Sequence, residues 1–208
     1  MGTLIPWEIP VFRMGIDPGY NHCAIVVMRP DGIVEDWNVL HCVRPKTKAP
    51  YRIEINSLGG RELLESPQDL WERIHAVVEE VIKIVIKYHP VAVCLEDYAY
   101  SAQGMYQSSS TITLGEFGGA LKERLTLLGT SFIVVTTQQL RKLLTGSGAA
   151  KKENVIATAK EYMSIEEPFR LKKNAEHIAF AFACSYYLHW MGIEKKLTHE
   201  KYRCPVLD

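Results

Sequence analysis

Phe12-Arg13-Met14-Gly15-Ile16-Asp17-Pro18-Gly19, followed three residues later by Cys23-Ala24-Ile25-Val26-Val27-Met28, is the stretch that decides the fold. Residues 12–16 read as a largely apolar strand that stops at Asp-Pro-Gly, a turn tripeptide, and residues 23–28 read as a second strand. Pro30-Asp31-Gly32 makes the next turn and residues 33–42 a third strand, so the chain opens with an antiparallel meander. Asp17 thus sits at the end of a rigid strand, where a carboxylate can be aimed.

Working outward, residues 44–65 are rich in Arg, Lys, Pro, Gly and Glu and read as a loop or inserted excursion. Ser66-Pro67-Gln68-Asp69 then opens a helix, with Ser66 as N-cap and Pro67 at the first position. Leu70, Ile74, Val77, Val78, Val81, Ile82 and Val85 recur at helical spacing to about Tyr88. Residues 91–95 form an apolar strand with Glu96 at its end. Residues 111–128 form a helix containing Gly115, Gly118 and Gly119, which cost about 1 kcal/mol each in a helix and imply another backbone packed close by. A strand at 132–135, a segment at 137–144, a loop at 145–150, a helix to about Met163 and a buried helix at 174–190 complete the order β-β-β-α-β-α-β-α-α. That order specifies an α/β protein: a five-stranded mixed sheet flanked by helices. No boundary divides the chain, so residues 1–208 read as one domain with a short N-terminal extension (1–11).

Of the 208 residues 47% are hydrophobic, enough for a sizeable core, and the formal net charge is zero. The distribution is uneven: residues 1–100 carry 10 Lys/Arg against 14 Asp/Glu, and residues 101–160 carry 7 against 3. Local fields attract phosphates, so the middle of the chain is the better nucleic-acid face. Five cysteines without C-x-x-C spacing indicate a reducing, intracellular (cytoplasmic) setting. His22-Cys23 and His41-Cys42 do not chelate zinc alone, because neighbours on a strand point to opposite faces. The N-terminus lacks the order of a signal peptide, and Pro90 and charges interrupt the most apolar run, so no membrane partner is expected.

Hydrolysis of a phosphodiester with two divalent ions needs carboxylates that converge on metals about 3.5–4 Å apart. Asp31, Asp36 and Asp69 have structural explanations in a turn, a strand and a helix start. Asp17 and Glu96 each end an apolar strand, and if those strands are neighbours both carboxylates share one sheet edge.

Gly15-Ile16-Asp17-Pro18-Gly19 before Ala24-Ile25-Val26-Val27 resembles the first acidic motif of the RuvC family of Holliday-junction resolvases, and Leu95-Glu96 resembles the second. Thr137-Gln138-Gln139-Leu140-Arg141-Lys142 and Gly146-Ser147-Gly148-Ala149-Ala150-Lys151-Lys152-Glu153-Asn154-Val155 resemble later family segments in the same order. The resemblance implies an RNase H-like fold, a homodimer, magnesium or manganese (two ions per site), no organic cofactor, and an endonuclease that nicks four-way DNA junctions symmetrically. The departure is at the last helix, where the family carries two aspartates. Aligning Ala179 and Ala181 places Glu176 at the final acidic position and Lys173 at the one before. Asn174 and His177 flank Glu176 as a weaker ligand or a proton carrier, and Glu176, Ala179, Phe180 and Ala183 share one helix face.

For DNA contact, Lys151 and Lys152 open a helix at a Gly/Ala-rich turn, with Arg141 and Lys142 beside them. Tyr98, Tyr100, Met105 and Tyr106 follow Glu96 as a loop whose tips could stack on bases. Competing readings are an actin-like ATPase, which needs a second domain and phosphate motif, a non-catalytic branched-DNA scaffold, and a nuclease for forks and flaps.

Overall fold

The computed structural model describes residues 11–43, 50–67, 69–97, 109–170 and 172–192. Strands β1 (Arg13–Asp17), β2 (His22–Met28) and β3 (Val34–Val43) are the expected meander. Two more strands follow, β4 (Arg52–Ser57) and β5 (Gly60–Glu65), before helix α1 (Leu70–Tyr88) and strand β6 (Ala92–Asp97). Then come α2 (Ser109–Leu127), β7 (Phe132–Thr136), α3 (Thr137–Thr145), α4 (Lys152–Met163), a 3-10 turn at Glu167–Phe169, and α5 (Lys172–Trp190).

The sheet therefore has seven strands, in the order β5-β4-β3-β2-β1-β6-β7, rather than five. The surplus lies in the segment expected as a loop or inserted excursion, where residues 52–65 form a hairpin. Ile53, Ile55 and Leu64 pack on one face, Ser57 pairs with Gly60 across a two-residue turn, and Gly60 takes φ +118°, which suits glycine. On β5 the other residues are exposed, and Arg61, Glu62 and Glu65 among them are charged, as an edge strand requires. The start of α1 also differs. Asp69, not Ser66, caps it, accepting hydrogen bonds from the backbone N–H of Trp71 (2.8 Å) and Glu72 (3.2 Å). Ser66 instead leaves β5 by donating its N–H to the Tyr51 carbonyl.

Alternation along the strands splits the core in two. Met14, Ile16, Ile25, Val27, Val93 and Leu95 pack under α1 and α2 with Ile74, Val78, Ile82, Phe117 and Leu121. Ala24, Val26, Cys94 and Val135 pack under α5, with Ala179, Ala181, Phe182, Ala183 and Cys184 facing them and α3 and α4 behind. Full burial of a Leu, Ile or Phe side chain contributes roughly 1.5–3 kcal/mol. The close approach of backbones occurs at β1 against α5: a Cβ on Gly15 would collide with the Ala181 carbonyl oxygen, the Ser185 nitrogen and, at 2.8 Å, Cys184 Cβ. Gly115 and Gly119 of α2, where close packing was expected, have no described atom within 4 Å of a Cβ position. Among the described residues no helix is long and apolar enough to cross a membrane.

Candidate nuclease site

β1 and β6 are parallel neighbours, with Ile16 opposite Leu95. Their next residues, Asp17 and Glu96, consequently emerge side by side at one sheet edge. Gly15 and Cys94 face α5, and the two-residue alternation puts Asp17 and Glu96 on that same side. The second turn of α5 carries Glu176 and His177 over them, because small residues let the helix lie close on the sheet. These four side chains line one cleft of about 360 Å³ with Tyr20, His22, Asp97, Thr137, Arg141 and Phe180.

Each carboxylate has a fixed neighbour. His177 Nδ1 lies 2.7 Å from Asp17 Oδ2, and the Asp17 side chain is only 15% exposed. The Thr137 hydroxyl donates to Glu96 Oε1 at 2.8 Å. Thr137 is held there by the start of α3, where Thr136 and Gln139 form a reciprocal capping box. Glu176, half-exposed, is paired with Lys152 of α4 at 3.2 Å.

Burial pushes the Asp17 carboxyl up, against the hydrogen bond and charge of His177 and a hydrogen bond with Glu96, and Glu176 adds repulsion. Glu96 is pushed up to about 9, first by burial and then by the negative charge of Asp17; Thr137 and Arg141 oppose the rise. Burial lowers His177, but its hydrogen bond and attraction to Asp17, with help from Glu176, carry it above its ordinary value. Two partly buried carboxylates that resist ionising together are what a divalent cation would relieve, and their oxygen donors suit a hard ion. The donor set fits such an ion, although among the described residues no three of these groups already converge as a finished cage.

The expected DNA-binding residues separate. Arg141 lies in the carboxylate cleft, its guanidinium 5.9 Å from the Phe180 ring centroid. Lys142, Lys151 and Lys152 are exposed on α3 and at the start of α4, and Lys152 is engaged by Glu176. Tyr98, Tyr100, Met105 and Tyr106 lie outside the described residues. Asn174 does not line the cleft. It is 2% exposed, its Oδ1 has no hydrogen-bond partner among the described residues, and it lies about 200° around the helix from Glu176. Thr137 and His22 were missed as site residues; Thr137 opens α3 one position beyond the end of β7, and His22 opens β2.

The family model for crossover junction endodeoxyribonuclease RuvC matches residues 54–184, more than half of the chain. The protein belongs to the RuvC family. Its RuvC relative in Prosthecochloris aestuarii is 25% identical over 157 residues, covering 76% of this chain and 72% of the relative. RuvC of Wolinella succinogenes is 27% identical over 181 residues, covering 86% and 97%. The fold matches that of Thermus thermophilus RuvC in complex with Holliday junction substrate, with a TM-score of 0.58 at 21% identity over 88% of this chain and 96% of that one. The sheet of this chain is mixed and flanked by helices, as expected of an RNase H-like protein, with the β4–β5 hairpin at its edge.

Proposed function

We propose that this RuvC-family protein is an endodeoxyribonuclease that resolves four-way DNA junctions by divalent-metal-dependent phosphodiester hydrolysis. The observation that carries the reading is the pairing of Asp17 with Glu96 at the ends of two parallel strands, under Glu176 and His177. Asp17 and Glu96 would hold the metal, with Glu176 completing the set once released from Lys152. Magnesium or manganese held there, as a pair of ions, would supply Lewis-acid charge for in-line displacement at phosphorus. His177 orients Asp17, Thr137 holds one oxygen of Glu96, and Arg141 places positive charge at the cleft wall where a phosphate would enter. The exposed Lys142 and Lys151 suit contact with the neighbouring DNA backbone.

A homodimer belongs to the same reading. Gly115 and Gly119 leave an open track along α2, and Ile112, Leu127 and Leu128 on that helix and just after it are exposed, which suits the close approach of a second copy. One continuous sheet supports treating residues 1–208 as a single domain with the 44–65 segment as an insertion. Four described cysteines, all free and buried, suit a reducing cytoplasmic setting.

The test is incubation of the purified protein with a synthetic four-way junction in magnesium or manganese. Paired, symmetric nicks are expected. Binding without cleavage in either metal would favour a scaffold, the reading suggested by the engagement of Glu176 with Lys152. Preferential cutting of forks or flaps would keep the nuclease and change its substrate.

A further inference from the structure

Asp17 is backed by a column of three imidazoles, of which two, His22 and His41, are assigned by neither its motif nor the family resemblance. His22 opens β2 and His41 lies near the end of β3, directly opposite it in the antiparallel register. Their rings stack with centroids 4.1 Å apart and planes at 21°. The His22 ring also stacks with that of His177, at 5.1 Å and 8°. His177 in turn meets Asp17 Oδ2 at 2.7 Å. One sheet face therefore carries a row His41–His22 that is continued by α5 into the cleft. The next position in the register is Glu54 on β4, fixed by Asn56 and Arg61 at 3.0 Å each. The hairpin thus builds a strand against the outer side of His41.

Stacked rings lie in parallel planes, so their in-plane lone pairs do not converge on one ion. A three-histidine metal site is excluded on that ground. What a stack does is hold a plane. A single hydrogen bond does not by itself stop an imidazole turning about its bond to Cβ, and the His177 side chain is 32% exposed at the cleft. A flat ring packed on its face removes that freedom, and a second ring behind the first keeps it in place.

We propose that His22 and His41 are positioning residues for Asp17. They lock the ring plane of His177, which fixes the direction in which Asp17 presents its carboxylate. The inference rests on Asp17 serving the nuclease centre described above. Groups that orient a metal-binding side chain from behind commonly change metal affinity or activity by about 10–100-fold.

The experiment uses the full chain with His22→Ala, His22→Leu, His22→Phe and His41→Ala. Three readouts are taken: the single-turnover nicking rate of a four-way junction in manganese, junction affinity in calcium, and the ring-nitrogen NMR signals of His177 in metal-free protein at one fixed pH. His22→Ala and His22→Leu are expected to slow nicking by about tenfold or more while junction affinity stays within about twofold, and to shift or broaden the His177 signals. His22→Phe, which keeps a flat ring, is expected to restore both the rate and the spectrum; His41→Ala has a smaller effect, about threefold. Unchanged His177 signals and nicking in His22→Leu, or a His22→Phe protein as defective as His22→Leu, would overturn the proposal. If the wild-type chain nicks no junction, the nuclease reading fails separately. The His177 spectrum then still decides the stack, for it or against it.

Discussion

The two halves of the candidate site are built differently. Asp17 and Glu96 stand at the ends of adjacent central strands, partly buried, with positions set by a parallel register and by Thr137 and His177. Glu176 stands on a helix turn above them, half-exposed and neutralised by a lysine from another helix. The strand half is preorganised, and its cost is electrostatic: two carboxylates forced together. The helix half is adaptable, because an exposed ion pair contributes only about 0–1 kcal/mol and is readily exchanged. A centre that must both bind a cation tightly and accept a large DNA substrate is served by one rigid wall and one adjustable wall.

That contrast can be broken most severely on the rigid side. Glu96→Gln keeps an acceptor for Thr137 but removes the charge, and should lower junction nicking by about a thousandfold or more, several kcal/mol of transition-state stabilisation. Glu176→Gln should cost less, about 10–100-fold in the same single-turnover assay. Equal losses would show that the helix half is no less essential than the strand half.

Stability against pH separates the halves a second way. The carboxyls of Glu96 and Asp17 and the imidazole of His177 are all raised in the folded chain. The folded protein therefore binds more protons than the unfolded one above the ordinary carboxylate range. Their contribution is fully present below that range and declines as pH rises towards the Glu96 value of about 9. Metal-free protein should lose about 1 kcal/mol or more between about pH 5 and pH 9, read from urea unfolding, and Glu96→Gln should flatten the slope. The smallest effect is expected at the ion pair. Lys152→Met should change apparent manganese affinity by a few-fold at most, by releasing Glu176, as measured by titration calorimetry.

How much of this was legible in the chain follows the same division. Asp17 and Glu96 could be found because each follows an apolar run short enough to be one strand, and strand ends fix where a side chain goes. The β4–β5 hairpin was obscured because an edge hairpin buries only one face. Its charged residues, Arg52, Glu54, Arg61, Glu62 and Glu65, outweigh Ile53, Ile55 and Leu64 in any reading by composition. Arg141 was expected to contact DNA beside Lys151 and Lys152, and its place on α3 sets it at the wall of the carboxylate cleft, apart from those lysines. The contacts that complete the site join residues far apart in sequence, His177 to Asp17 across 160 positions and Lys152 to Glu176 across 24. Helical periodicity could place Glu176 and His177 on neighbouring faces of α5. It carried no information on which of them would meet Asp17, because that depends on how closely Gly15 lets α5 approach β1.

Everything proposed for the cleft turns on whether Asp17 is a catalytic carboxylate or a fold-bearing residue of a turn. The direct measurement is cleavage and binding of one four-way junction by Asp17→Asn beside the wild type, in manganese for cleavage and in calcium for binding. Asp17→Asn is expected to bind the junction with unchanged affinity and to leave it uncut. A variant that nicks the junction at the wild-type rate would contradict the catalytic role of Asp17.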